Sequence, residues 1–309
     1  EYIDVLGEYT AGIYGHSHPV IRKAIDKALD HGWNFAGRNE NEGKLAKLVA
    51  DRIPSIDLVR FTNSGTEGNV MALAGARVYA QRKGRTKATK VMVFHGGYHG
   101  GVLYFVSGGS PVNMPYEYVV APYNDVEGTR ALLAKHGEEL FAVLLEPMQG
   151  SHGCLPGDPA FLRMVREETK ARGITMIFDE VMPSRLSPGG LQQKTGIIPD
   201  MTTLGKYIGG GMSFGAFGGR RDIMELFDPT KPDSLPHAGT FNNNVLTMAA
   251  GAAGYGEVYT PEAANELNAR GEKIREADVS IADTAPGRAI ERALEKAPDP
   301  RGPTLFPRP

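Results

Sequence analysis

The stretch Pro159–Val181, PAFLRMVREETKARGITMIFDEV, decides the fold. Phe161, Leu162, Met164 and Val165 recur at helical spacing and predict a helix over Pro159–Arg172 with those side chains in the core. Gly173 is a natural stop, and Thr175–Phe178 reads as a short strand. Asp179 and Glu180 follow at once, so the strand ends on two acids. Helix, glycine, strand and polar end form one unit of an α/β fold.

The same unit recurs along the chain. Candidate strands are 59–63, 90–94, 118–121, 142–145, 175–178, 201–204 and 215–218. Candidate helices are 19–31, 41–52, 66–82, 126–136, 159–172, 243–259 and 261–276. This alternation predicts an α/β fold with a mainly parallel sheet. The 309 residues, 41% hydrophobic and 23% charged, suit one large domain plus a smaller piece. From about Ala277 the text turns rich in Ala, Pro, Arg and Asp and offers little apolar surface to bury.

Composition narrows the function classes. A net charge of −2 provides no basic field for nucleic acid or an anionic membrane. The basic run Arg82, Lys83, Arg85, Lys87, Lys90 reads as a solvated turn after a helix. The single cysteine, Cys154, excludes an internal disulfide framework and fits a reducing compartment, with cytoplasmic localisation as the expectation. No apolar run approaches the ~20 residues of a membrane-spanning helix. The opening Glu1-Tyr2-Ile3-Asp4 shows no secretory signal, and the first residue is not Met.

In open α/β sheets, ligands bind beyond the carboxyl ends of the strands. The residues after the candidate strands are Ser64-Gly65-Thr66, Gly96-Gly97-Tyr98-His99-Gly100, Glu146-Pro147, Asp179-Glu180-Val181 and Gly205-Lys206. Together they describe a pocket with a lysine, a carboxylate, an aromatic ring and an anion cradle. Ser64-Gly65-Thr66 opens a helix, whose N–H groups bind anions, although a plain N-cap reads the same way. Asp179 at an apolar strand end needs a partner. A pyridinium nitrogen, a metal or a structural ion pair would each serve, and no His/Cys/Asp spacing accompanies it to favour a metal. Lys206 lies 27 residues on, before the glycines 209–211, and could face Asp179 across a ligand. Enclosure would depress its pKa and suit it to Schiff-base chemistry, whereas an exposed surface lysine is the bland alternative. A nucleotide P-loop is excluded by Asp200, where glycine is required, and by Tyr207 after the lysine.

These motifs, with Gly239-Thr240-Phe241-Asn242-Asn243-Asn244, resemble the class III aminotransferases, the fold-type I pyridoxal-phosphate group. The likeness covers roughly residues 1–275. Within the group it is closest to β-phenylalanine aminotransferases, then to glutamate-1-semialdehyde aminomutase, on 7–12, 185–191 and 214–219. The resemblance implies a large three-layer α/β/α domain with a seven-stranded, mainly parallel sheet and an incomplete small domain. The corresponding division is 1–35 (N-terminal segment of the small domain), 36–258 (large cofactor-binding domain) and 259–309 (truncated or atypical C-terminal segment).

It also implies roles. Lys206 would hold pyridoxal 5'-phosphate as a Schiff base and shuttle a proton, and Asp179 would pair with the pyridine nitrogen. Tyr98 and Val181 would cover the two ring faces. Ser64, Gly65 and Thr66 would hold the phosphate, joined by Thr240 of a second subunit in a homodimer. Glu146 would sit near the cofactor. Tyr14, Arg38 and Met182 are candidate substrate-wall residues. The implied activity is transfer of an amino group from an amino acid, with an aromatic β-amino acid as one option, to a keto acid. An aminomutase or racemase, or an inactive cofactor-binding fragment, remain the alternatives.

Three departures stand out. Pro183 replaces the small hydroxyl residue usual after Val-Met, which is expected to reshape the loop beside Asp179. The family is longer at both ends, where its carboxylate-binding arginines tend to lie. The text after Glu276 does not read like the family's small domain.

Overall fold

The computed structural model describes residues 6–35 and 37–282, with side chains described as far as 276. Two compact units appear, 1–264 and 265–309, so most of the expected third segment lies in the second unit, and its part from residue 283 lies outside the described residues.

The first unit opens with a short turn, Gly7–Thr10, then α1 (Pro19–His31) and α2 (Glu40–Arg52). Next come β1 (Leu58–Thr62), α3 (Gly65–Arg82), β2 (Lys90–Phe94), β3 (Glu117–Ala121) and α4 (Val126–His136). They are followed by β4 (Leu140–Leu145), β5 (Met148–Gln149), β6 (Leu155–Pro156), α5 (Pro159–Arg172) and β7 (Thr175–Asp179). The series continues with α6 (Gly190–Thr195), β8 (Met201–Gly205), β9 (Gly215–Gly219), α7 (Arg221–Met224) and α8 (Val245–Ala253), and α9 (Pro261–Ala282) starts in this unit, its residues from Asn265 belonging to the second.

The seven expected strands form one sheet in the order β1-β9-β8-β7-β4-β2-β3. β9 is antiparallel to both its neighbours, and every other pair is parallel. The parallel strands therefore end on one edge, which also holds the end of β1.

Period-two alternation splits the core into two layers. Val91, Val93, Ala142, Leu144, Ile177 and Met201 face Ala72, Leu73, Ala76 and Ala80 of α3. Met92, Phe94, Val143, Leu145, Met176 and Phe178 face Leu133 of α4 and Phe161, Leu162 and Val165 of α5. Phe94, Phe161 and Phe178 are fully buried, worth roughly 2–3 kcal/mol each in transfer from water. The small residues of α3 let that helix lie close to the sheet. A β-carbon on Gly68 would stand 2.8 Å from the Ala216 carbonyl oxygen.

Local chemistry explains the boundaries. Ser64, Asp125 and Asn244 cap α3, α4 and α8 with their side-chain oxygens. Gly173 ends α5 in the left-handed conformation. The expected helix 243–259 is shorter, because Asn244 serves as its cap and α8 gives way after Ala253 to a π-helical turn, Gly254–Val258. The last helix runs past residue 276 to Ala282, since no glycine or proline interrupts 277–282. The β5–β6 pair and α6 were not expected from sequence, being too short to show a period.

Candidate active site

Five of the polar motifs follow strands that end on the same edge. They bring Ser64, Tyr98 and His99, Glu146, Asp179 and Lys206 together. Strand parity decides the direction of the acid. Ile177 and Met201 face α3, so Asp179 and Thr203, two residues on, face it as well. These two are register partners on β7 and β8.

Asp179 is 3% exposed, and both its carboxylate oxygens are hydrogen-bonded. Its Oδ2 accepts from Asn69 Nδ2 at 2.8 Å and lies 2.9 Å from His99 Nδ1. Its Oδ1 accepts from the Val181 N–H at 3.0 Å. Glu180, adjacent in sequence, turns away and accepts from Leu191 N–H, Gln192 N–H and Gln192 Nε2. Burial pushes Glu180 up to about 7, opposed by those donors. The two acids thus have different work: Glu180 braces α6, and Asp179 faces the site.

Lys206 follows β8 with φ +55°, a backbone state uncommon for a residue with a β-carbon. It is partly buried, and its Nζ donates to the Tyr9 carbonyl at 2.5 Å. Burial lowers its pKa below the usual lysine range; Asp179 and Glu146 oppose that shift and Arg185 adds to it. The amine therefore senses both acids.

The start of α3 forms a small cradle. Ser64 Oγ accepts from Glu67 N–H at 3.2 Å, so the capping reading is correct as far as it goes. Among the described residues no acceptor meets the N–H groups of Gly65 and Thr66, which remain available to an anion. Val181 wedges between two glycines, since a β-carbon on Gly65 would sit 2.7 Å from its Cγ2 and one on Gly205 3.0 Å from its Cγ1.

Tyr98 is 42% exposed and stands edge-on to Tyr104. Its N–H donates to Glu146 Oε2 at 2.9 Å, and the Gly150 N–H donates to Oε1 at 3.0 Å. Glu146 therefore ties two site loops together. Burial pushes it up to about 7; the nearby His99 opposes that shift and Asp179 adds to it.

The three wall candidates separate. Met182 is partly buried beside Gly150 and Glu146, and Pro183 after it opens a short 3-10 turn, Pro183–Leu186, where no N–H is needed. Tyr14 is 8% exposed and lines a cavity of about 350 Å3 with Gly12 and His16. Arg38 is exposed and lines another cleft with Arg60 and His237. Thr240 is exposed, and its neighbour Asn242 accepts from Asn63 Nδ2 at 2.9 Å, close to the cradle.

The family profile described as "Aminotransferase class-III" matches residues 1–284. The chain belongs to the class-III aminotransferases. It is 55% identical over 274 residues to β-phenylalanine transaminase of Variovorax paradoxus, covering 89% of this chain and 62% of that enzyme. It is 37% identical over 310 residues to glutamate-1-semialdehyde 2,1-aminomutase 2 of Brevibacillus brevis, covering 96% of this chain and 70% of the relative. The crystal structure of the Variovorax β-phenylalanine aminotransferase superposes with a TM-score of 0.87 at 53% identity, covering 91% of this chain and 64% of that one. A structure described as a transaminase with PLP bound superposes at 0.83 with 33% identity, covering 91% and 68%. This class-III aminotransferase chain thus spans less than two thirds of its Variovorax relative's length.

Sequence reading missed Asn69 and assigned no role to His99 or Thr203. One signal was present. Asn69 is a polar residue on the sheet-facing side of an Ala-rich helix, where only a bonded polar group is tolerated. The donor set of this class-III aminotransferase suits a phosphorylated pyridine aldehyde: free helix N–H groups for a phosphate, a buried carboxylate for a ring nitrogen, an exposed aromatic ring and a lysine amine. In addition, His99 Nε2 is buried with no partner among the described residues.

Proposed function

We propose that this protein is a pyridoxal-phosphate aminotransferase that moves an amino group from an amino acid, an aromatic β-amino acid above all, to a keto acid. The observation that carries the reading is the pairing of β7 and β8, which sets buried Asp179 and the amine of Lys206 at neighbouring strand ends. Bound pyridoxal phosphate supplies a protonated ring that draws electrons from the substrate carbon. Asp179 holds the ring nitrogen, and Gly65 and Thr66 N–H groups with the Ser64 and Thr66 hydroxyls hold the phosphate. Val181 and Tyr98 cover the ring faces and exclude water. Lys206, its pKa lowered by burial, would hold the cofactor through its amine and would take up and return the proton at the substrate carbon. Glu146 holds the Tyr98 and Gly150 loops in register around that amine. Met182, beside Glu146, forms part of the substrate wall, whereas Tyr14 and Arg38 line two other cavities.

The protein acts as a cytoplasmic homodimer in which Thr240 reaches the phosphate of the partner. The exposure of Thr240 and of the adjoining Phe241, at 59%, supports that arrangement. Similarity to the Brevibacillus aminomutase favours a second reading, isomerisation of one bound substrate. The test is an amino-donor screen on cofactor-loaded protein, with Lys206→Ala as control. Transfer requires a visible band lost in Lys206→Ala and turnover that depends on a keto acid. Turnover without a keto acid would establish the mutase instead, and a Lys206→Ala variant with full activity would end both readings.

A further inference from the structure

Asn69 is held more firmly than any surface contact requires. Its Nδ2 donates to Asp179 Oδ2 at 2.8 Å and to the His99 carbonyl at 3.1 Å. Its Oδ1 accepts from the Thr203 hydroxyl at 2.7 Å. The opposite orientation of this amide would aim its oxygen at two acceptors, so only one orientation is viable. His99, by contrast, has its ring bonded on one side alone, since Nε2 is buried and unpartnered among the described residues. Asn69 is therefore the fixed strut on the acid, and the His99 ring follows the carboxylate.

Its place in the chain adds a second consequence. Asn69 stands on α3, and the N–H cradle of Gly65 and Thr66 is the first turn of the same helix. One rigid element therefore carries the anion donors and the group that aims the acid. With two donors on Oδ2 and one on Oδ1, the carboxylate keeps a lone-pair site on Oδ1 for an outside partner.

We propose that Asn69, oriented by Thr203, is a positioning residue that aims Asp179 at the ring nitrogen and couples that aim to the phosphate cradle through α3. The inference rests on the cofactor reading above. It acts before any chemistry, in non-covalent binding of the cofactor.

The experiment measures binding of pyridoxamine phosphate, which has no aldehyde to react with Lys206, to wild type, Asn69→Leu, Asp179→Asn and the double variant. Removing a hydrogen bond to a charged group gives an expected weakening of about tenfold for Asn69→Leu. In the Asp179→Asn background the same substitution should add less than about twofold, because the strut has nothing left to aim. Thr203→Val should weaken binding in the same direction by a smaller factor, and Thr203→Ser should restore it. In protein loaded with pyridoxal phosphate, the pH midpoint of the visible band should move in Asn69→Leu and Thr203→Val and return in Thr203→Ser. Wild-type affinity in Asn69→Leu, or a full additive loss in the double variant, would overturn the proposal. If Asn69→Leu fails to fold, the threonine pair decides, and a Thr203→Val variant with wild-type affinity and midpoint overturns it equally. Wild-type affinity in Asp179→Asn is a different failure, since it removes the acid from the ring and with it the cofactor reading itself.

Discussion

The Lys206 amine donates to the Tyr9 backbone carbonyl at 2.5 Å, and this bond ties the end of β8 to a strained turn. Glu8, Tyr9 and Thr10 all have positive φ, at a cost of roughly 1–2 kcal/mol per residue. Such a turn persists only while something holds it. If Lys206 holds the cofactor as proposed, the carbonyl loses its donor. The Ala11 and Gly12 amides, bonded back to Glu8 and Gly7, should then exchange with solvent faster. Hydrogen exchange on cofactor-free protein, loaded protein and Lys206→Ala checks this, with the last two expected to match. Equal protection in all three would show that the lysine does not hold the turn.

Asp179→Asn keeps the shape of the side chain but removes its charge. Loss of a charge-assisted bond to a ring nitrogen costs roughly 2–3 kcal/mol, so single-turnover amino transfer should slow by about 30- to 150-fold. Cofactor trapped on Lys206 by borohydride and measured by mass should remain. A rate within a few-fold of wild type would place the acid's role in folding alone.

Glu146 makes stability depend on pH in a defined direction. Its folded value of about 7 lies above the ordinary 4.5, so between those pH values the folded state holds more protons than the unfolded state. Stability from this group is present below about 4.5, falls as pH rises, and is gone above about 7. The change is on the order of 3 kcal/mol. Glu180, raised to about 7 as well, works with the same sign. Denaturant unfolding from pH 5 to 8 should therefore show falling stability, and Glu146→Gln should remove about half of that slope. Identical slopes in the two proteins would mean that burial does not raise Glu146.

Gly65→Ala tests the wedge of Val181. The added methyl would sit 2.7 Å from Val181 Cγ2, and overpacking of this kind costs roughly 1–3 kcal/mol. Thermal unfolding should show that loss, and Val181→Ala in the same chain should recover part of it. A stable Gly65→Ala protein, or no recovery in the double variant, would show that the loop yields instead.

Much of the fold and part of the site were legible before any tertiary structure. All seven sheet strands are found, with ends displaced by two residues at most, because β-rich runs between glycine stops are a local signal. The chemistry of the edge was also readable, since an acid after Phe178 and a lysine after Gly205 are conspicuous at apolar strand ends. The short β5–β6 pair and α6 were not, because they are too brief to carry a period.

The sequence by itself determined the order of the seven sheet strands and the long helices between them, a helix start at 64–66 and the candidates Asp179 and Lys206. Each of these depends on neighbours a few residues apart, which periodicity and turn chemistry record. Only the tertiary structure decided that Asn69, His99 and Thr203 converge on Asp179, that Glu180 braces α6, and that Tyr9 holds the lysine. Those contacts join residues far apart in the chain, and they depend on which faces of α3, β7 and β8 meet. Hydrophobic burial makes that choice for the molecule as a whole, so no single stretch encodes it.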